Sequence, residues 1–109
     1  MSTQPVRSFD VDSLPVHVFA NQDDMSNAAA NEVNQYLCGV IAKQGRAATI
    51  LATGNSQIQF LEKLLAIGEA DWSKITLFHM DEYLGLDGDH SASFRKYMRE
   101  RVEQKVHPA

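Results

Sequence analysis

The chain carries a single cysteine, Cys38, so no internal disulfide can staple the fold and no Cys-x-x-Cys pair exists for redox or metal chemistry. Basic charge is also scarce: ten Lys and Arg against fourteen Asp and Glu leave a formal net charge of -4. The basic residues are scattered rather than clustered, which excludes a general polyanion-binding surface, and no nucleic-acid partner is expected. No apolar run reaches the roughly 20 residues that a membrane-spanning helix needs, and Met1-Ser-Thr-Gln-Pro-Val-Arg7 lacks the apolar centre of a signal peptide. The expectation is a soluble, cytoplasmic chain with no membrane partner. The six glycines form neither the spaced pattern of a dinucleotide fingerprint nor the Gly-Lys-Ser/Thr ending of a nucleotide P-loop. The four histidines lack a ligand spacing such as His-Glu-x-x-His, so no metal site is expected.

What remains is an ordinary globular composition, 44% hydrophobic and 22% charged over 109 residues, enough for one domain with its own core. Residues 1–14 are largely polar with isolated apolar positions and read as a surface arm; residues 15–109 read as the folded part. Val16-His-Val-Phe19 has strand character, and Asp23 or Asp24 is placed to cap a helix from Met25 to a stop at Gly45. Ala29, Val33, Tyr36, Leu37, Val40 and Ile41 form its apolar stripe, with Asn27, Asn31, Asn34 and Gln35 mostly off it and Cys38 near the buried side as a structural thiol. Ala47-Ala-Thr-Ile-Leu-Ala52 is a continuous apolar run, the pattern of a central strand covered on both faces.

A second helix follows with Ser56 as its expected N-cap, Ile58, Leu61, Leu64 and Leu65 as its buried face, and Gly68 as its stop. Asp71-Trp72-Ser73 turns the chain into a strand over Ile75–His79, with Trp72 as packing. After a polar loop, a last helix starts near Ser91 or Ser93, burying Phe94, Tyr97, Met98 and Val102 with Arg95, Lys96, Arg99 and Glu100 outward. The order β-α-β-α-β-loop-α predicts an α/β fold, an open parallel sheet flanked by helices in a Rossmann-like three-layer sandwich. Ligands of such sheets bind beyond the carboxyl ends of the strands.

Two motifs sit at those ends. In Thr53-Gly54-Asn55-Ser56, Gly54 permits close backbone approach, the free N–H groups of the following helix face the turn, and the hydroxyls add donors. That chemistry suits a phosphate; a capped turn that binds nothing is the other reading. In Met80-Asp81-Glu82-Tyr83, strand periodicity sends Asp81 and Glu82 to opposite sides. A carboxylate partly desolvated by Phe78, Met80 and Tyr83 would have a raised pKa and could accept and return a proton; a solvated acidic loop is the alternative.

Taken in order, Leu51-Ala-Thr-Gly-Asn-Ser56, Phe78-His-Met-Asp-Glu-Tyr-Leu-Gly-Leu86 and Asp89-His-Ser-Ala-Ser-Phe94 resemble the glucosamine-6-phosphate deaminase (isomerase) family, over roughly residues 16 to 107. The resemblance implies a doubly wound α/β fold and conversion of glucosamine 6-phosphate to fructose 6-phosphate and ammonia, without a cofactor. It assigns Asp81 the shuttling of a proton between C1 and C2 of the opened sugar, Glu82 a neighbouring role in orienting the catalytic site, and Thr53, Gly54, Asn55 and Ser56 the substrate phosphate. Ala52 and Gln57 stand where the family often has Pro, Asn55 where it has a second Gly, and His79 where Asn is frequent, which leaves a related sugar phosphate open as substrate.

The family's later Gly-x-Asp-Gly-His-type segment, which assists ring opening, does not occur before Ala109. The expectation is therefore an N-terminal portion of such an enzyme, with little activity alone and with a C-terminal half or a homo-oligomer as partner. A 6-phosphogluconolactonase-like hydrolase is disfavoured, because that family usually has Asp-Glu-Arg and Ser-Asn-Tyr where this chain has Asp81-Glu82-Tyr83 and Ala92-Ser93-Phe94. A non-catalytic sugar-phosphate binding module or relic is the remaining alternative.

Overall fold

The computed structural model describes residues 4–109. It opens with an antiparallel hairpin, β1 (Arg7–Val11) and β2 (Leu14–Val18), followed by α1 (Gln22–Gln44), β3 (Ala47–Leu51), α2 (Asn55–Ile67), a short 3-10 turn over Trp72–Lys74 and β4 (Ile75–His79). A loop leads to α3 (Phe94–Met98), which runs through a π-helical turn (Arg99–Glu103) into α4 (Gln104–Val106). β3 and β4 pair in parallel, with Ala47 opposite Ile75 and Leu51 opposite His79, and α2 is the crossover between them.

The hairpin corrects the expected polar arm over residues 1–14, of which residues 1–3 lie outside the described residues. Phe9 and Val11 are two apart, the strand period, and they face Val16 and Leu14 across the ladder. The strand expected at Val16–Phe19 therefore starts at Leu14 and joins this hairpin, not the parallel sheet. Asp12 takes the left-handed φ of 53° at the two-residue turn, a conformation that Asp tolerates better than most side chains.

The start of α1 also differs from expectation. Asn21 caps it, its side-chain oxygen accepting the Asp24 N–H at 2.8 Å, while Asp23 sits in the first turn and ties α1 to α2 through Lys63 at 2.7 Å and Gln59 at 2.9 Å. The Lys63 ammonium holds the Asp23 carboxyl below its ordinary range. The helix stops where expected, at Gly45 with φ 81°. Its buried stripe is Ser26, Ala30, Asn34 and Leu37, so Asn34 moves inside and Tyr36 outside relative to the sequence reading. Asn34 is tolerated there because its amide donates to Glu69 at 3.0 Å and its oxygen accepts the Cys38 thiol.

All the helices pack against one face of the sheet. Ala47, Leu51 and Ile75 lie buried on that face beneath Ala30 and Leu37 of α1, Leu61 and Leu64 of α2, Trp72, and Val102 of the C-terminal helix. Phe60, Leu65, Leu77 and Val106 touch both clusters and join them into one core. Leu61, Leu64, Ile75 and Val102, the fully buried aliphatic side chains, each contribute on the order of 1.5–3 kcal/mol. On the other face Ile50 is 64% and Phe78 54% exposed, so β3 is not covered on both sides as its apolar run suggested. The run reports that both faces are apolar; which of them receives a helix depends on residues far along the chain.

Candidate functional site

The register that pairs Leu51 with His79 brings the carboxyl ends of β3 and β4 to the same edge, so Thr53–Ser56 and Met80–Tyr83 leave the sheet side by side. At the first end, α2 begins one residue after Gly54, which is its N-cap with φ 130° and ψ 166°, a conformation essentially reserved for glycine. Ser56, expected as the cap, instead lies inside the first turn and is exposed. The cap residue has no side chain to satisfy the first N–H groups, which leaves them presented to an incoming acceptor; the Gln57 N–H turns back to the Gly54 carbonyl at 3.0 Å.

At the second end the two carboxylates part company. Asp81 has a side chain 74% exposed, with its backbone clamped by His79, whose Nδ1 lies 2.6 Å from the Asp81 carbonyl oxygen. The same Nδ1 lies 3.3 Å from the Asp81 backbone nitrogen, and His79 Nε2 is buried without a partner among the described residues. The apolar enclosure expected around Asp81 is not formed, because Phe78, Met80 and Tyr83 are all exposed.

Glu82, by contrast, is consumed by the start of α3. Its Oε1 accepts the N–H groups of Tyr83 and Phe94, and its Oε2 accepts those of Arg95 and the Ser93 hydroxyl at 2.8 Å, with the Arg95 Nε at 3.1 Å. The backbone N–H of Arg95, then that of Phe94, drives the Glu82 carboxyl far below the usual carboxylate range, with Ser93 and Tyr83 adding to the effect and partial burial opposing it. Every acceptor position of this carboxylate is engaged. Ser93 is the N-cap of α3, one of the two starts read from the sequence.

Ring contacts reinforce the junction: Phe94 sits 4.9 Å from His79 and 5.2 Å from Tyr83 between ring centroids. Arg95 lies outward as expected, its side chain 60% exposed, and Arg99 is 38% exposed, but both are engaged rather than free. Arg95 reaches the Leu86 carbonyl at 2.7 Å, while Arg99 binds the Gly88 carbonyl at 2.7 Å and Asp89 at 2.9 Å, so both pin the preceding loop.

The two motifs therefore meet across α3 and line separate cavities. His79, Asp81, Glu82, Arg95 and Arg99 border one of about 650 Å³. Thr53, Gly54, Asn55, Ser93, Lys96 and Arg101 border another of about 490 Å³, which Ser56 does not line. Sequence reasoning missed the contribution of Tyr97, whose hydroxyl donates to the Gly54 carbonyl at 3.3 Å across a separation of 43 residues. The helical spacing marked Tyr97 as core; no local signal identifies the contact.

An α/β chain whose paired strand ends present a glycine-capped helix start beside an exposed carboxylate belongs to the class of open layer folds, whose ligands bind at the carboxyl edge of the sheet. The family described as glucosamine-6-phosphate isomerases/6-phosphogluconolactonase matches residues 20–109, and the chain belongs to that family. A glucosamine-6-phosphate deaminase of Clostridium perfringens strain SM101 is 36% identical over 84 residues, covering 74% of this chain and 33% of the relative. The Clostridium tetani deaminase is 36% identical over 88 residues, covering 78% and 35% respectively.

Among solved structures, a monomeric glucosamine-6-phosphate deaminase superposes with a TM-score of 0.70 at 24% identity, covering 82% of this chain and 36% of that one. A 6-phosphogluconolactonase from Shewanella baltica gives 0.72 at 21% identity, covering 79% and 36%. These likenesses show the fold. The chain spans about a third of the length of the curated relatives it matches.

Proposed function

We propose that this chain supplies the proton-transfer carboxylate and the phosphate turn of an enzyme that converts glucosamine 6-phosphate to fructose 6-phosphate and ammonia. The observation that carries the reading is the division of labour between adjacent acids: Glu82 has no free acceptor position, whereas Asp81 stands exposed at the end of β4 on a clamped backbone. Asp81 is thus the base that moves a proton between C1 and C2 of the opened sugar. Glu82, paired with it as a catalytic residue on the sequence alone, is a positioning residue in this reading. The first N–H groups of α2 take the phosphate, aided by Thr53 and Asn55 on the same cavity wall. The likeness to the two clostridial deaminases supports the substrate class.

The test joins residues 20–109 to the remaining two-thirds of the Clostridium perfringens relative, in place of its own matching segment. The fusion is expected to release ammonia from glucosamine 6-phosphate. Hydrolysis of 6-phosphogluconolactone without ammonia release would move the assignment to the lactonase branch, and binding without either turnover would leave a sugar-phosphate binding module.

A further inference from the structure

The peptide between Gly54 and Asn55 is the hinge of the proposed phosphate turn, and glycine alone does little to hold it. Gly54 adopts a φ of 130°, and a Cβ built there would meet only the Ser56 hydroxyl, at 4.0 Å, so packing around the glycine does little to fix the peptide plane that follows. Two groups hold its carbonyl: the Gln57 N–H, within the turn, and the Tyr97 hydroxyl, from α3. In a planar trans peptide the C=O and N–H point in opposite directions. Anchoring the Gly54 carbonyl on the α2 side therefore aims the Asn55 N–H outward, past the start of the helix, where an anion would sit.

Tyr97 is itself well placed to act as a fixed strut. Its helix is tied at the N-terminus to Glu82 and Ser93, and the Arg101 guanidinium lies over its ring at 5.2 Å from the centroid. We infer that Tyr97 is a positioning residue for the phosphate turn: its hydroxyl keeps the Asn55 N–H directed at the bound anion, so anion affinity at α2 depends on a side chain of α3. The inference rests on the phosphate role proposed above for the turn. It joins the two cavities into one functional unit, because Glu82 anchors the helix that carries Tyr97.

Titrating inorganic phosphate into the isotopically labelled chain, followed by amide NMR, tests it with Tyr97→Phe, which removes only the hydroxyl and keeps the ring beneath Arg101. The variant is expected to bind phosphate about fivefold more weakly, with the largest free-state change at the Asn55 amide and the loss of no more than one ordinary hydrogen bond in overall stability. Equal phosphate affinity in the two proteins would overturn the inference while leaving the phosphate turn intact. If the unsubstituted chain takes up no phosphate at the Asn55–Gln57 amides, the turn's proposed role fails and the inference falls with it.

Discussion

Asp81→Asn in the clostridial fusion is expected to lower ammonia release by roughly 10²- to 10⁴-fold, the usual contribution of one positioned acid–base group, with little change in KM. The substitution preserves the shape of the side chain and removes only its capacity to take a proton. It leaves the local backbone undisturbed, since the His79 clamp engages the main chain of Asp81 and the nearest side-chain approach, Nδ1 to Oδ1, is 3.7 Å. A fall in kcat with binding retained therefore reads the chemical step. An Asp81→Asn fusion that turned over normally would remove Asp81 from the mechanism.

Glu82→Gln is expected to act by a different route. The amide nitrogen that replaces one carboxylate oxygen is a donor, and it would face either the N–H groups of Tyr83 and Phe94, which now donate to Oε1, or the N–H of Arg95, which now donates to Oε2. The start of α3 should fray, with amide exchange at Phe94–Tyr97 faster on the order of tenfold, as for loss of a helix cap. Phosphate affinity at the turn should fall as well, because Tyr97 loses its fixed base.

The pH dependence has a definite sign. The folded pKa of Glu82 is depressed from an ordinary value of 4.5, so its stabilising contribution is complete above that value. It is lost progressively as the pH falls from there through the folded value. Protection of α3 should decline with acidification in the original chain, while the Gln variant starts lower and changes less over that range. Equal protection and equal acid response in the two would show that Glu82 does not hold the helix.

How much of this was legible in the sequence depends on the range of the interaction. The apolar runs of β3 and β4, the glycine stops at Gly45 and Gly68, and the Ser93 cap are local signals, and each lies where its chemistry places it. The hairpin was hidden because Asp12-Ser13 lacks the Asn-Gly signature of a tight turn and β1 is short, with only Phe9 and Val11 to show the strand period. The distinct fates of Asp81 and Glu82 were not legible, since all the partners of Glu82 but Tyr83 lie eleven to thirteen residues downstream. Periodicity correctly sends adjacent residues in different directions. It does not say which one meets the start of a helix.

The same limit applies to the relation between the motifs. Sequence order suggested one site fed by two strand ends, and the paired register does bring those ends together. The intervening α3, placed by the packing of Val102 with Leu51 and Leu61, divides the edge into two cavities joined through Ser93 and Tyr97. That division follows from where the last helix docks.

Titration of glucosamine 6-phosphate into the labelled chain, read at individual amides, tests most directly whether the two motifs serve one ligand. The account predicts that the amides of residues 54–57 and of Asp81 and its neighbours shift together along a single binding curve, whereas inorganic phosphate moves the first group alone. Shifts at neither group, or a sugar phosphate that perturbs Asp81 without the turn, would contradict it.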